Sequence, residues 1–275
     1  MEVIEKLKEL YNHRELLWSM TVKELKVKYK RSVLGFIWSF ANPIIMLAVF
    51  SFVFAILVRT GQMHWFVVYL MAGLLPWLFF VNTLMQSVGT IVGNPGLVKK
   101  VYFPREILPL AAVGANIFHF AMQLLVFFCF LLIIGWKFSI YFLLFPLVFL
   151  LEVIFTTALA LFISAANVYL RDVQHFVEVA TMAWFWITPI VYIIGQVYNI
   201  LGKRGLMPLY LLNPMTHIVL SWQYVIYNPY HYAKGVHVTY VAPWGLFATA
   251  LGSVVLLVAC YLFFARMERG FAEQI

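Results

Sequence analysis

Residues 107–134, ILPLAAVGANIFHFAMQLLVFFCFLLII, run without a single Asp, Glu, Lys or Arg. As a helix this stretch rises about 42 Å, more than the ~30 Å hydrocarbon core of a bilayer. The rest of the chain resembles it. Of 275 residues, 64% are hydrophobic and 11% charged, against ~45–50% and about 25% in a soluble domain. A soluble fold of this size could not hide so much apolar surface. The composition excludes a soluble enzyme, a disordered chain and a secreted disulfide scaffold, and points to an integral membrane protein.

Apolar runs bounded by charge predict six spans: Val33–Val58, Trp65–Val92, Ile107–Ile134, Ile140–Ala166, Val177–Ile194 and Gly245–Ala265. They are expected to be helices, because lipid offers the backbone no partner and the alternation of a barrel strand is missing. Orientation follows from Lys and Arg. With the N-terminus in the cytoplasm, only Arg59, Lys137, Lys203, Arg204 and Lys234 of the 19 basic residues face outward. This bias predicts that both termini are cytoplasmic. The predicted outer loops hold no acid, so a basic outer face suits an anionic or neutral cargo better than a cation. The net charge of +8 reads as basic flanks on membrane spans rather than a nucleic-acid surface.

The first 31 residues carry too much charge for a signal peptide. Ile4, Leu7 and Tyr11 share one side, and Trp18, Val22, Leu25 and Tyr29 recur at helical spacing. This predicts an amphipathic helix in the headgroup plane, either a topology anchor or a docking surface. The sequence thus divides into an interfacial segment at 1–31 and a membrane domain at 32–275. Within that domain, 195–244 forms an outer region. It holds seven tyrosines and two tryptophans but none of the 26 phenylalanines, a pattern of rings with a polar handle. The stretch Met215–Asn228 is too short to cross, and predicts a re-entrant or interfacial hairpin bounded by Asn213-Pro214 and Asn228-Pro229. The plainer reading is an aromatic belt.

Chemistry is sparse. No GxxxxGK[ST], GxSxG, HExxH or strand-linked GxGxxG occurs, so the chain is expected to bind no ATP by a P-loop and to hold no catalytic site. Cys129 and Cys260 lack CxxC partners and read as small buried hydrophobes. His231 and His237 lack an evident third metal ligand, and no metal site is expected. Polar residues inside spans form two stripes. Asn82, Gln86 and Thr90 share one face of the second span; Asn116, His119 and Gln123 share one face of the third. Such stripes must meet other helices or a water-filled path, as helix–helix contacts or as a conduit for a hydroxyl-rich substrate. Glu152, in the fourth span, needs a partner or a proton. Two inner loops, around Lys99–Glu106 and Arg171–Asp172, read as docking elbows or as plain connectors.

Five strings, in order, carry a resemblance: Lys26–Trp38 (KVKYKRSVLGFIW) followed by Asn42-Pro43, Lys100–Pro109 (KVYFPREILP), Asn167–His175 (NVYLRDVQH), Trp184–Tyr192 (WFWITPIVY) and Leu211–Pro214 (LLNP). With them the chain resembles the permease subunit of ATP-binding-cassette exporters of lipid-linked polysaccharides, the type-2 permeases of O-antigen, capsule and wall teichoic acid export. The resemblance implies a homodimer in the bacterial cytoplasmic membrane, served by two copies of a separate ATPase that binds Mg-ATP. It implies ATPase docking through Lys99, Lys100, Tyr102, Arg105 and Glu106, with Arg171 and Asp172 closing the cytoplasmic side. Lys26, Lys28, Lys30 and Arg31 would meet the lipid diphosphate, and Trp184, Tyr198, Trp222, Tyr224 and Tyr227 would offer rings to a sliding glycan. Rival readings are a drug or small-lipid exporter of the same superfamily, a proton-driven carrier, and an integral membrane glycosyl- or acyltransferase. The carrier is disfavoured by the lack of an intramembrane acid relay, and the transferase by the lack of acids at the outer face.

Overall fold

The computed structural model describes residues 8–29, 37–53, 65–100, 102–227 and 243–275. Among them every regular element is helical: α1 (Arg14–Tyr29), α2 (Trp38–Phe52), α3 (Phe66–Val88), α4 (Pro95–Lys100), α5 (Ile107–Ile133), α6 (Phe145–Tyr169), α7 (Val173–Ile187), α8 (Ile194–Leu201), α9 (Met207–Tyr210), α10 (Pro214–Ile226), α11 (Pro243–Met267) and α12 (Phe271–Gln274).

Among the described residues, four helical stretches are long and apolar enough to cross a bilayer: 66–88, 107–133, 140–169 and 244–274. The other two predicted spans are shorter. α2 and α7 have 15 residues each, roughly 22 Å of helix. Both ends of the expected first span, 33–36 and 54–58, lie outside the described residues. The fifth differs for a local reason. It starts at Val173, four residues early, and stops at Ile187. Pro189 follows, and a residue before proline avoids the helical region. Thr188 is accordingly extended, with φ −95° and ψ 136°.

α3 is the hub. Its most apolar window is 83% buried, against 17% for that of α11. α5, α6 and α10 pack on α3, α1 and α2 lean on α5, and α11 lies along α6. Aromatic contacts fill the centre: Phe79 stacks on Phe120 at 5.0 Å, and Phe80 meets Trp184 edge-on at 5.3 Å. Pro76 sits inside α3, where surrounding helices shield the backbone from lipid.

The helix expected from Met215–Asn228 forms as α10. Asn213 caps it, accepting from the Met215 amide at 3.0 Å, and Pro214 occupies the first turn. The expected exit at Asn228-Pro229 lies outside the described residues. α10 is covered on nearly every side, with Met215 to Gln223 all buried. Polar bonds hold it and its approach in place. Gln223 donates to the Pro189 carbonyl at 3.0 Å, Trp136 donates to that of Ile226 at 3.1 Å, and Tyr69 donates to that of Tyr192 at 3.0 Å.

The close approach of α10 to α3 occurs at Gly73. A Cβ there would lie 2.7 Å from Gln223 Nε2 and 3.2 Å from Val219 Cγ1. Gly73→Ala should therefore push the Gln223 amide off Pro189 and cost about 1–3 kcal/mol. A lowered Tm of the detergent-solubilised protein checks this; an unchanged Tm contradicts the packing.

α1 packs on the bundle by a face that apolar periodicity does not mark. Its contact with the bundle runs through Thr21, whose methyl would lie 3.1 Å from a Cβ on Gly114 of α5. Leu16, Leu17 and Met20 pack nearby. Trp18, expected on the apolar side that faces the membrane, is 69% exposed. Small residues set the closest helix–helix approach in membranes, and apolar periodicity does not rank them. The calls at Ile4 and Leu7 fall outside the described residues. Cys260 is buried as expected, but Cys129 is exposed on the bundle's outer surface.

Candidate functional site: a braced pole and a polar cavity

The segments 89–100 and 102–106 and the end of α6 at Tyr169 meet the C-terminal tail at one end of the bundle. A second apolar core closes this pole, built on Ile91, Val98, Phe103, Leu161, Phe264 and Phe271. Polar bonds brace it. The Arg105 amide donates to Glu268 Oε1 at 3.2 Å, and the Arg105 guanidinium also donates to the Glu268 carbonyl. Tyr261 donates to Glu106 Oε1 at 3.2 Å, and Tyr169 to the Met267 carbonyl at 2.8 Å. Asn167 donates to the Val88 carbonyl at 2.8 Å. Lys23 of α1 donates to Asn94 Oδ1 at 2.9 Å, and Asn94 in turn donates to the Thr90 carbonyl.

This bracing sorts the expected docking residues. Lys99, Lys100, Arg171 and Asp172 are exposed, and Tyr102 is 92% exposed. They project from a firm base and are accessible to a partner. Glu106 is only 2% exposed, so as placed it cannot touch a docked protein; it fastens the loop to α11. Arg105 is half-buried in the tail clamp. Beside them opens a cleft of about 410 Å³, lined by Glu9, Tyr102, Arg105, Glu268 and Arg269 among others. Glu268 and Arg269 were not singled out from sequence; nothing in their spacing shows that the tail folds back.

Of the expected headgroup cations, Lys26 is exposed near the end of α1. Lys28 lies on the same helix, and Lys30 and Arg31 lie outside the described residues.

The two polar stripes converge. Asn116 donates to Gln86 Oε1 at 2.8 Å, and Gln86 donates to Glu24 Oε2 at 3.0 Å, linking α5, α3 and α1. Asn82, Asn116, His119 and Gln123 line one cavity of about 330 Å³, joined by Ser39 and Asn42 of α2. Trp38, Phe79 and Phe120 supply its rings. Thr90, in the turn after α3, instead bonds to the Ser87 carbonyl. Glu152 is not part of the cavity. It is fully buried and faces the Trp222 indole, and neither carboxylate oxygen has a hydrogen bond within normal geometry among the described residues.

The expected ring path requires correction at two positions. Trp222 and Tyr227 have no exposed surface. Trp222 is edge-on to Phe120 at 5.5 Å and to Phe145 at 5.1 Å, and Tyr227 is edge-on to Tyr69 at 5.5 Å. In this arrangement neither ring meets a sugar; both fix α10 in the core. Trp184 is half-buried and donates to Asn213 Oδ1 at 2.8 Å, which positions the α10 cap. Tyr198 is exposed, and Tyr224 is half-buried against Tyr141. The exposed rings of α7 are Phe176, at 72%, and Trp186, at 65%.

A helical membrane bundle with a braced, partly charged pole is the framework of a transporter permease, and the chain belongs to the ABC-2 type transporter family, whose profile matches residues 15–227. It is 33% identical to the O-antigen export system permease protein RfbA of Myxococcus xanthus, across 99% of this chain and 100% of that protein. It is 30% identical to the protein of the same name from Klebsiella pneumoniae, with 94% of each covered. It is 24% identical to the polysialic acid transport protein KpsM of Escherichia coli, over 85% of this chain and 89% of that one.

Proposed function

We propose that the chain is the membrane-spanning subunit of an ATP-driven exporter that moves a lipid-linked polysaccharide across the bacterial cytoplasmic membrane. The end-to-end similarity to permeases named for O-antigen export carries this reading. The chemistry of the chain supports it. Amides and rings gather in one cavity inside the bundle, and sugars present both hydroxyl edges and apolar faces. The interfacial segment at 1–31 and the membrane domain at 32–275 act together. In the membrane α2 and α7 complete six spans, α10 is the re-entrant element of the outer region at 195–244, and both termini face the cytoplasm.

Two copies pair, and two ATPase subunits bind Mg-ATP below them. Lys99, Lys100, Tyr102, Arg171 and Asp172 form the docking face, and Lys26, Lys28, Lys30 and Arg31 meet the lipid diphosphate. Nucleotide-driven closure of the ATPases shifts the permease between states through this face.

The test is reconstitution of the permease with its P-loop partner in liposomes. ATP hydrolysis should rise on adding a lipid-diphosphate-linked glycan and stay flat with small hydrophobic drugs. The reverse pattern would overturn the reading in favour of a drug exporter.

A further inference from the structure

The cavity between α2, α3 and α5 has a wall chemistry that specifies its occupant. Its polar groups are Ser39, Asn42, Asn82, Asn116, His119 and Gln123, with no Lys, Arg, Asp or Glu among them. A phosphate would find no Lys or Arg here, and a metal ion no carboxylate. Carboxamides both donate and accept, as hydroxyl groups do, so the wall matches a ring of hydroxyls in either sense of hydrogen bond. A drug-like apolar molecule would leave these amides unpaired, at a cost that selects against it.

Hydrocarbon is an equally poor occupant. Asn42 and Asn82 are exposed, and an unsatisfied amide that faces hydrocarbon is unfavourable. The indole of Trp38, 45% exposed at the rim, offers a face on which the apolar side of a pyranose can stack. The volume of about 330 Å³ is that of a small-ligand site, the scale of a sugar unit rather than of a polymer.

Position adds a second constraint. Asn82 lies six residues before Val88, at which α3 ends toward the braced pole, about 9 Å of helix. The cavity thus opens in the half of α3 nearest the braced pole, beside α1, whose Glu24 is joined to it through Gln86 and Asn116. We propose that this cavity is a loading subsite that takes an uncharged sugar unit next to the lipid diphosphate while the glycolipid is still in the inner leaflet. The inference rests on the proposed function and names where that cargo first engages a single protomer.

The experiment uses the intact permease–ATPase complex in liposomes, with Asn82→Cys placed in a Cys129→Ala, Cys260→Ala background. A membrane-impermeant maleimide should label residue 82, and an undecaprenyl-diphosphate-linked glycan should slow labelling while the sugar-free lipid diphosphate does not. In the parallel variant Asn82→Leu, Gln123→Leu, the glycan concentration for half-maximal ATPase stimulation should rise about five- to thirtyfold, the loss of two sugar hydrogen bonds. Failure to label would show a cavity sealed by lipid or by the second copy, and would overturn the inference. So would labelling that glycan does not slow although glycan still stimulates ATP hydrolysis; that result leaves the proposed function intact. Glycan with no effect on either readout would remove both.

Discussion

Reversing charge at three exposed positions, Lys99→Glu, Lys100→Glu and Arg171→Glu, is expected to detach the ATPase and abolish export. All three side chains are exposed on the braced pole. Inverting rather than deleting charge sets like against like across a contact, where each lost close pair costs about 2–5 kcal/mol. Three such changes should lower affinity by well over a hundredfold. Co-purification of the ATPase with the tagged permease measures this, with the permease's own Tm as the control for folding. The residual affinity of single reversals should fall further as salt screens the remaining pairs. Arg105 is deliberately spared, because its loss would open the Glu268 clamp and confuse detachment with local unfolding. Normal pull-down together with normal export in the triple variant would remove the docking assignment.

The second large effect lies at Trp222. The indole has no exposed surface and bridges α10 to Phe120 of α5 and Phe145 of α6. Trp222→Ala leaves a cavity at the centre of the bundle and should cost about 3–5 kcal/mol. The expected outcome is several-fold less folded permease in membranes, seen as early elution and aggregation on size exclusion. Glu152→Gln provides the contrast. The amide keeps the shape beside the indole and removes an ionisable group from a site without solvent, so assembly should be unchanged. If the Trp222 variant assembles normally yet exports poorly, the ring belongs to the path after all. Unchanged assembly of Glu152→Gln with no export would likewise make Glu152 part of the transport route.

Composition and charge made the helical membrane class legible, and the two stripes on the second and third spans were legible because period is a one-dimensional signal. That Asn82, Asn116 and His119 share one cavity needed the third dimension, since α2 supplies Ser39 and Asn42. The rings of the outer region were the hardest to place. A tyrosine or tryptophan has the same sequence signature at a wet boundary as in a core that satisfies its polar handle, and Tyr69 and Trp136 show the second case. The fold-back of the tail was equally hidden, because Arg105 and Glu268 are 163 positions apart. For α1 the decisive contact is Thr21 against Gly114, two residues that no hydrophobicity count would choose.

The clamps at the pole bear on how force would travel. Arg105 grips the tail at Glu268, Tyr169 holds Met267, and Asn167 caps the end of α3 at Val88. A body pinned at three corners has little slack. A nudge delivered beneath Tyr102 would reach the roots of α3, α6 and α11 together, as through a single lever and not through three independent hinges.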